Sequence, residues 1–304
     1  MREFILRLNL TCNQNCIFCN IRGKKDEPSF NYITAKQKID ELSSNSKGSV
    51  VLFTGGEPTL NPYLINLIKY AKKKGIEGIG IQTNAMLCCY QYFTQRLRRS
   101  GLTHAFVPFY SSDKKTFDAL TRTPGSFKHA VQGIKNLQNQ GVFITFNILV
   151  NSLNYQQVPE TIKFIHRNFK KVIKIDRKKN INVFSFSFVQ PAGLAWKNRW
   201  IVPKMSKVAP YVIQAMKYCQ EKNISFMNSG CGFPLCFLKG FEEYSMEYQC
   251  IQQNRKNPSN LFDYNKAFKV YGKQCQICKL KKYCFGVWKS YAEIYGLDEL
   301  KPYC

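Results

Sequence analysis

Three thiols stand close together near the start of the chain, in Leu10-Thr11-Cys12-Asn13-Gln14-Asn15-Cys16-Ile17-Phe18-Cys19-Asn20. Thiolates at C-x3-C-x2-C spacing suit a metal ion or an iron–sulfur cluster. Three of them satisfy three irons of a cubane and leave the fourth iron open to a substrate, whereas structural zinc takes four nitrogen or sulfur ligands. No fourth Cys or His stands nearby, and the next cysteine is Cys88. Further on, Gly55-Gly56-Glu57-Pro58 offers glycines whose backbone can approach a ligand closely, and a carboxylate able to accept from an ammonium group. A plain Gly-Gly turn stopped by proline fits the same residues. A second set of thiols, Cys275, Cys278 and Cys284 at C-x2-C-x5-C, lies in a tail that also holds Cys231, Cys236, Cys250 and Cys304. C-x2-C serves zinc as well as iron, so a zinc-binding interaction protein is the non-enzymatic alternative.

The chain has 304 residues and 13 cysteines. A secreted disulfide scaffold is usually much shorter and follows a signal peptide, which the start Met1-Arg2-Glu3-Phe4 does not resemble. Metal ligation in a reducing, cytoplasmic compartment is the expectation. The longest apolar runs, such as Phe143 to Val150, fall far short of the roughly 20 residues of a membrane span. The net charge of +26 attracts acidic partners, whether an acidic peptide or nucleic acid. Basic residues are densest from Lys163 to Lys179, where a solvated helix face and loop would look the same. His104, His129 and His166 are isolated in the sequence and receive no catalytic role.

These residues need a scaffold, and the chain alternates strand and helix patterns up to about residue 190. Strands are expected at Glu3–Asn9, Ser49–Thr54, Gly78–Thr83, Thr103–Tyr110, Phe143–Val150 and Asn182–Val189, most of them apolar throughout, as in parallel strands covered on both faces. Helices are expected at Thr34–Asn45, Pro62–Lys74, Cys88–Ser100, Ser126–Gln140 and Tyr155–Asn168, with start signals at Thr34 and at Asn61-Pro62 and Ser126 as a cap. Six strand–helix units joined by right-handed crossovers predict an α/β fold, a partial (β/α)6 TIM-like barrel. Residues 1–203 form that barrel. Residues 204–304 form a bridging helix, about Lys204–Lys222, and a small cysteine-rich C-terminal domain. The thiol loop and the Gly-Gly-Glu run both follow strands, at the carboxyl ends where such sheets gather their chemistry.

The thiol loop, with Phe18 just before its third cysteine, resembles the signature of the radical S-adenosylmethionine (SAM) superfamily, and the likeness covers residues 1–190. It implies a 4Fe–4S cluster on Cys12, Cys16 and Cys19, whose open iron is chelated by SAM and whose electron cleaves the sulfonium to give a 5′-deoxyadenosyl radical. Gly55, Gly56 and Glu57 are similar to the family's GGE motif, which holds the methionine amino group. Thr83 and Asn84 stand where a Thr-Asn-Gly turn is common, with Ala85 in place of the glycine; Ser111, Ser112 and Asn147 are further candidate SAM contacts, and the Gln190–Gly193 turn is expected to border the adenine. The tail resembles a SPASM or twitch extension carrying at least one auxiliary 4Fe–4S cluster on Cys275, Cys278, Cys284 and either Cys236 or Cys304. The SPASM pattern expects a cysteine where this chain has Trp288. Such tails imply maturation of a ribosomally made peptide by oxidation, cross-linking, epimerisation or backbone excision. An acidic peptide substrate, a small leader-binding partner and a flavodoxin- or ferredoxin-type electron donor follow as expected partners; no leader-binding domain is read before Cys12. Radical modification of nucleic acid or of a small molecule is the alternative.

Overall fold

The computed structural model describes residues 3–22, 29–45, 49–169, 182–253 and 266–304. Most of the basic run between 163 and 179 therefore lies outside the described residues. Seven parallel strands pair in sequence order: β1 Glu3–Arg7, β2 Val50–Thr54, β3 Gly78–Gln82, β4 His104–Pro108, β5 Phe143–Val150, β6 Phe184–Phe188 and β7 Phe226–Asn228. β1 and β7 are the two edges, so the sheet is an open partial barrel. The register carries Ile5 opposite Leu52, Leu52 opposite Gly80, and Gly80 opposite His104. Gly80 is required there, because a Cβ would lie 2.1 Å from the His104 ring.

The helices are α1 Tyr32–Asn45, α2 Leu64–Lys73, α3 Gln91–Ser100, α4 Lys114–Thr121, α5 Ser126–Asn139 and α6 Val158–Asn168. Each turns an apolar stripe to the sheet, as Leu64, Leu67, Ile68 and Ala71 do on α2. Phe109, at the end of β4, lies against Phe117, Phe127, Phe146, Phe164 and Phe169, and so ties β4 and β5 to α4, α5 and α6.

Four details differ from the sequence expectation. β7 adds a seventh strand, which at three residues leaves no readable periodicity. α4 was not expected, since its eight residues are a short run for a helical period. At α1 the cap is Asn31, whose Oδ1 accepts from the Thr34 amide at 2.9 Å, so Thr34 lies inside the helix. At α5 the cap is borrowed: Asp118 of α4 accepts from the Gly125 and Phe127 amides at 2.9 and 2.8 Å and from the Ser126 hydroxyl. Ser126 is thus the first helical residue, and one carboxylate fastens α5 to α4.

A one-turn helix, Leu194–Lys197, leads to α7 (Met205–Glu221), which packs on α6. The tail then forms α8 (Met246–Gln252), a short antiparallel pair of β8 (Lys269–Val270) with β9 (Val287–Trp288), and α9 (Lys289–Tyr295). Tyr291 of α9 is fully buried, edge-on to Phe188 of β6 at 5.7 Å, and its hydroxyl accepts from the Met205 amide at 2.8 Å. The apolar core therefore runs without a break from barrel to tail. No helix among the described residues is long and apolar enough to cross a membrane.

Candidate functional site

The thiol loop leaves β1 at the carboxyl ends of the strands and is fastened from three sides. α4 holds it from beneath, with the Asn15 and Ile17 amides donating to the carbonyls of Thr121 and Leu120, each at 3.0 Å. The 193–198 segment holds it from the far edge: the Leu194 amide donates to the Cys19 carbonyl at 2.8 Å, and Asn198 Nδ2 to the Ile17 carbonyl at 3.0 Å. A Cβ at Gly193, whose φ is +56°, would lie 2.6 Å from the Cys19 carbonyl oxygen. The Gly-Gly-Glu run holds the near edge, where the Gly56 and Glu57 amides donate to the Asn9 and Thr11 carbonyls, both at 2.8 Å. Cβ atoms at Gly55 and Gly56 would each lie 2.3 Å from a carbonyl oxygen of that loop. The two glycines serve first to let two strand-end loops touch.

The Glu57 side chain is buried and its carboxylate accepts four hydrogen bonds from the protein: three at Oε1, from the Thr59 amide (3.1 Å) and the Thr59 and Thr83 hydroxyls (2.6 Å each), and one at Oε2, from the Asn84 amide (2.7 Å). It joins the loops after β2 and β3. Burial raises its pKa against the lowering effect of those hydrogen bonds. Asn84 then reaches the thiol loop, donating to Asn13 Oδ1 at 2.7 Å with Cys12 Sγ at 3.9 Å. Ala85 has φ +61°, the left-handed conformation in which glycine is the relaxed residue.

Cys12, Cys16 and Cys19 are half-buried, reduced and within one another's electrostatic reach. Burial, then the neighbouring thiols, push Cys16 up to about 12. Phe18 is buried, edge-on to Tyr110 at 5.1 Å, and the Tyr110 hydroxyl meets the Cys16 thiol. Asn147 on β5 accepts from Ser187 at 2.7 Å, and Ser187 meets Ser229 at 2.9 Å, a polar row crossing from β5 over β6 to the chain beyond β7. Ser111 points elsewhere, donating to Gln157 and accepting from the Asp113 amide, and the Ser112 amide donates to Thr161. Sequence reasoning missed Tyr110, Ser187, Ser229 and Asn198. The alternation Phe184-Ser185-Phe186-Ser187-Phe188 carried a signal for the polar row; the others had none.

In the tail, Cys236, Cys275, Cys278 and Cys284 line one pocket beneath Tyr271 and Tyr303. Burial raises Cys236 to about 11 and Cys284 to about 12. Cys304 is exposed and outside that lining, although its neighbour Tyr303 donates its amide to Cys278 Sγ at 3.4 Å. Cys231 is half-buried, Cys250 is buried against Phe285, and Cys88 and Cys219 lie in the core.

The donor set fits an iron–sulfur cluster that binds a substrate. Three soft thiols share one loop with no fourth Cys or His near them in sequence. Beside the loop, Asn9 Oδ1 is buried without a hydrogen-bond partner among the described residues, leaving an acceptor for a bound donor. Fold and loop together define an open α/β partial barrel with a three-thiol loop after its first strand. The Radical SAM superfamily profile matches residues 7–165, more than half of the chain, and the chain belongs to that superfamily. The superfamily's name carries its cofactor, SAM, which is also bound in a solved neighbour of the same fold.

Among curated relatives, a probable GTP 3′,8-cyclase of Saccharolobus islandicus is 27% identical over 195 residues, 62% of this chain and 58% of that protein. The Fe-coproporphyrin III synthase of Methanosarcina barkeri is 31% identical over 150 residues, 49% of this chain and 37% of that one. The match therefore spans less than two thirds of either relative. Among solved structures, Streptococcus suis SuiB bound to SAM aligns with a TM-score of 0.63 at 16% identity, covering 99% of this chain and 76% of that one. The anSMEcpe structure with bound AdoMet aligns at 0.63 and 13% identity, covering 98% and 91%. Both likenesses establish the fold, tail included.

Proposed function

We propose that the chain modifies a peptide by radical chemistry. In this reading Cys12, Cys16 and Cys19 hold the cluster, and the loops after β2 and β3, Asn9 and the Asn147–Ser187–Ser229 row form the SAM cradle. When bound, cluster and SAM supply a 5′-deoxyadenosyl radical that abstracts hydrogen from the substrate. The protein fixes the thiol loop against α4 and the 193–198 segment, and Tyr110 and Phe18 close its inner side to water. Cys236, Cys275, Cys278 and Cys284 hold an auxiliary cluster, with Cys236 as the fourth ligand because it lines the pocket and Cys304 does not. An acidic low-potential protein serves as electron donor, and a small leader-binding protein presents the substrate.

The observation that carries this reading is how far each likeness extends. Neighbours solved with peptides, SuiB with precursor peptide SuiA and anSMEcpe with a peptide, share the fold over 99% and 95% of this chain, the cysteine-rich tail among it. The cyclase relatives match only 62% of the chain. The charge of +26 suits an acidic substrate. The test is anaerobic incubation with SAM, dithionite and short acidic peptides encoded beside the gene, followed by mass spectrometry. A mass change in a peptide together with 5′-deoxyadenosine release is expected. A second reading, a nucleotide substrate, is favoured by the cyclase likeness and would take over if GTP, and no peptide, were converted.

A further inference from the structure

A charge pair is buried behind the tail pocket. Glu247, in the first turn of α8, and Lys269, on β8, meet at 2.5 Å with each side chain only 2% exposed. Such a pair is a poor stabilising device, since removing two ions from water costs several kcal/mol per ion and apolar replacements are often neutral or better. Its position points to another use. The second carboxylate oxygen of Glu247 accepts from the Phe285 amide at 2.9 Å, the peptide directly after Cys284. The Gly286 amide donates to Cys284 Sγ at 3.3 Å, and the Tyr271 hydroxyl donates to the Cys284 carbonyl at 2.6 Å. Lys269 is held in place by pairing of β8 with β9, opposite Trp288, with its ammonium 5.3 Å from the Trp288 ring centroid.

We propose that the Glu247–Lys269 pair is a fixed buried dipole that sets the reduction potential of the cluster held by the Cys284 pocket, Glu247 acting as a positioning residue through the Phe285 amide. The inference rests on the auxiliary-cluster reading above. The titratable groups facing the pair are Cys284, Cys231 and Tyr271. The carboxylate accepts from the peptide directly after Cys284, whereas the ammonium meets that carboxylate's other oxygen and lies over the Trp288 ring. The negative end of the dipole therefore faces the ligand. Reduction adds an electron, so a carboxylate on that side disfavours it and holds the potential low. Hydrogen bonds and nearby charge are the general means by which proteins tune such clusters.

The test is a redox titration followed by electron paramagnetic resonance on anaerobically reconstituted protein. A background of Cys12→Ala, Cys16→Ala and Cys19→Ala leaves the tail cluster alone. In that background iron and sulfide of about four each per chain are expected; their absence overturns the cluster reading itself. Glu247→Gln keeps an acceptor for Phe285 and removes the negative charge, and the potential is expected to rise. Lys269→Met is expected to lower it, and the double variant to fall between wild type and Glu247→Gln. Equal potentials in all four proteins, or shifts of the same sign in both single variants, would leave the pair a purely structural contact and overturn the proposal.

Discussion

At the scale of single residues, the site depends less on groups facing a ligand than on groups holding the loops that face it. Glu57 is the clearest case: a motif residue whose carboxylate serves four protein donors across two loops. Glu57→Gln would set an amide NH2 against at least one of those donors, and hydrogen bonds to a charged group carry about 1.5–3 kcal/mol. We expect a stability loss of about 2 kcal/mol by urea denaturation, together with weaker SAM binding in an equilibrium assay. An unchanged unfolding midpoint would show that the carboxylate is not the clamp described. Ala85 sits in the left-handed region where glycine is the relaxed residue, but it is fully buried. Burying the methyl returns about 0.8 kcal/mol, which offsets part of a strain of about 1–2 kcal/mol.

Between elements, the thiol loop is shaped by what presses on it. Gly193 is one tight point, combining a φ of +56° with a 2.6 Å approach to the Cys19 carbonyl. Gly193→Ala should push the 193–198 segment away from the loop and lower the iron bound there, read as sulfide and iron content after reconstitution, with a stability cost of about 1–3 kcal/mol. Full iron loading with an unaltered melting curve would contradict this. β4 carries a separate dependence on pH. Burial lowers His104 to about 4, from an ordinary value near 6.5. The unfolded chain then binds a proton that the folded chain refuses between those values, so stability is full above pH 6.5 and falls as pH drops toward 4. The loss is at most about 3 kcal/mol. Urea midpoints measured across that range should show the slope in the wild type and lose it in His104→Phe; an equal slope in both would remove His104 as its source.

For the molecule as a whole, barrel and tail share one core through Phe188 and Tyr291, so the two thiol sites are held in a fixed relation while remaining chemically separate. That separation predicts divergent phenotypes. Cys16→Ala should abolish 5′-deoxyadenosine release, whereas Cys278→Ala should retain it and yet form no modified peptide. Chromatographic assay of both products distinguishes the two, and full SAM cleavage by Cys16→Ala would remove the N-terminal loop from the chemistry.

The parallel α/β architecture, the thiol trio and the Gly-Gly-Glu run were legible in the linear chain because each is a local signal: continuous apolar strand runs, a fixed cysteine spacing, a glycine pair after a strand. β7 and α4 were not, three and eight residues being short runs in which to read a period. Only the folded chain decided that Cys236, not Cys304, lines the pocket with Cys275, Cys278 and Cys284. The same holds for Glu57 facing inward, for Asn147 joining Ser187 and Ser229, and for Glu247 meeting Lys269 across 22 positions. Spacing along a chain constrains which groups are close only over a few residues. Beyond that, proximity depends on how helices and strands pack, and no single segment encodes it.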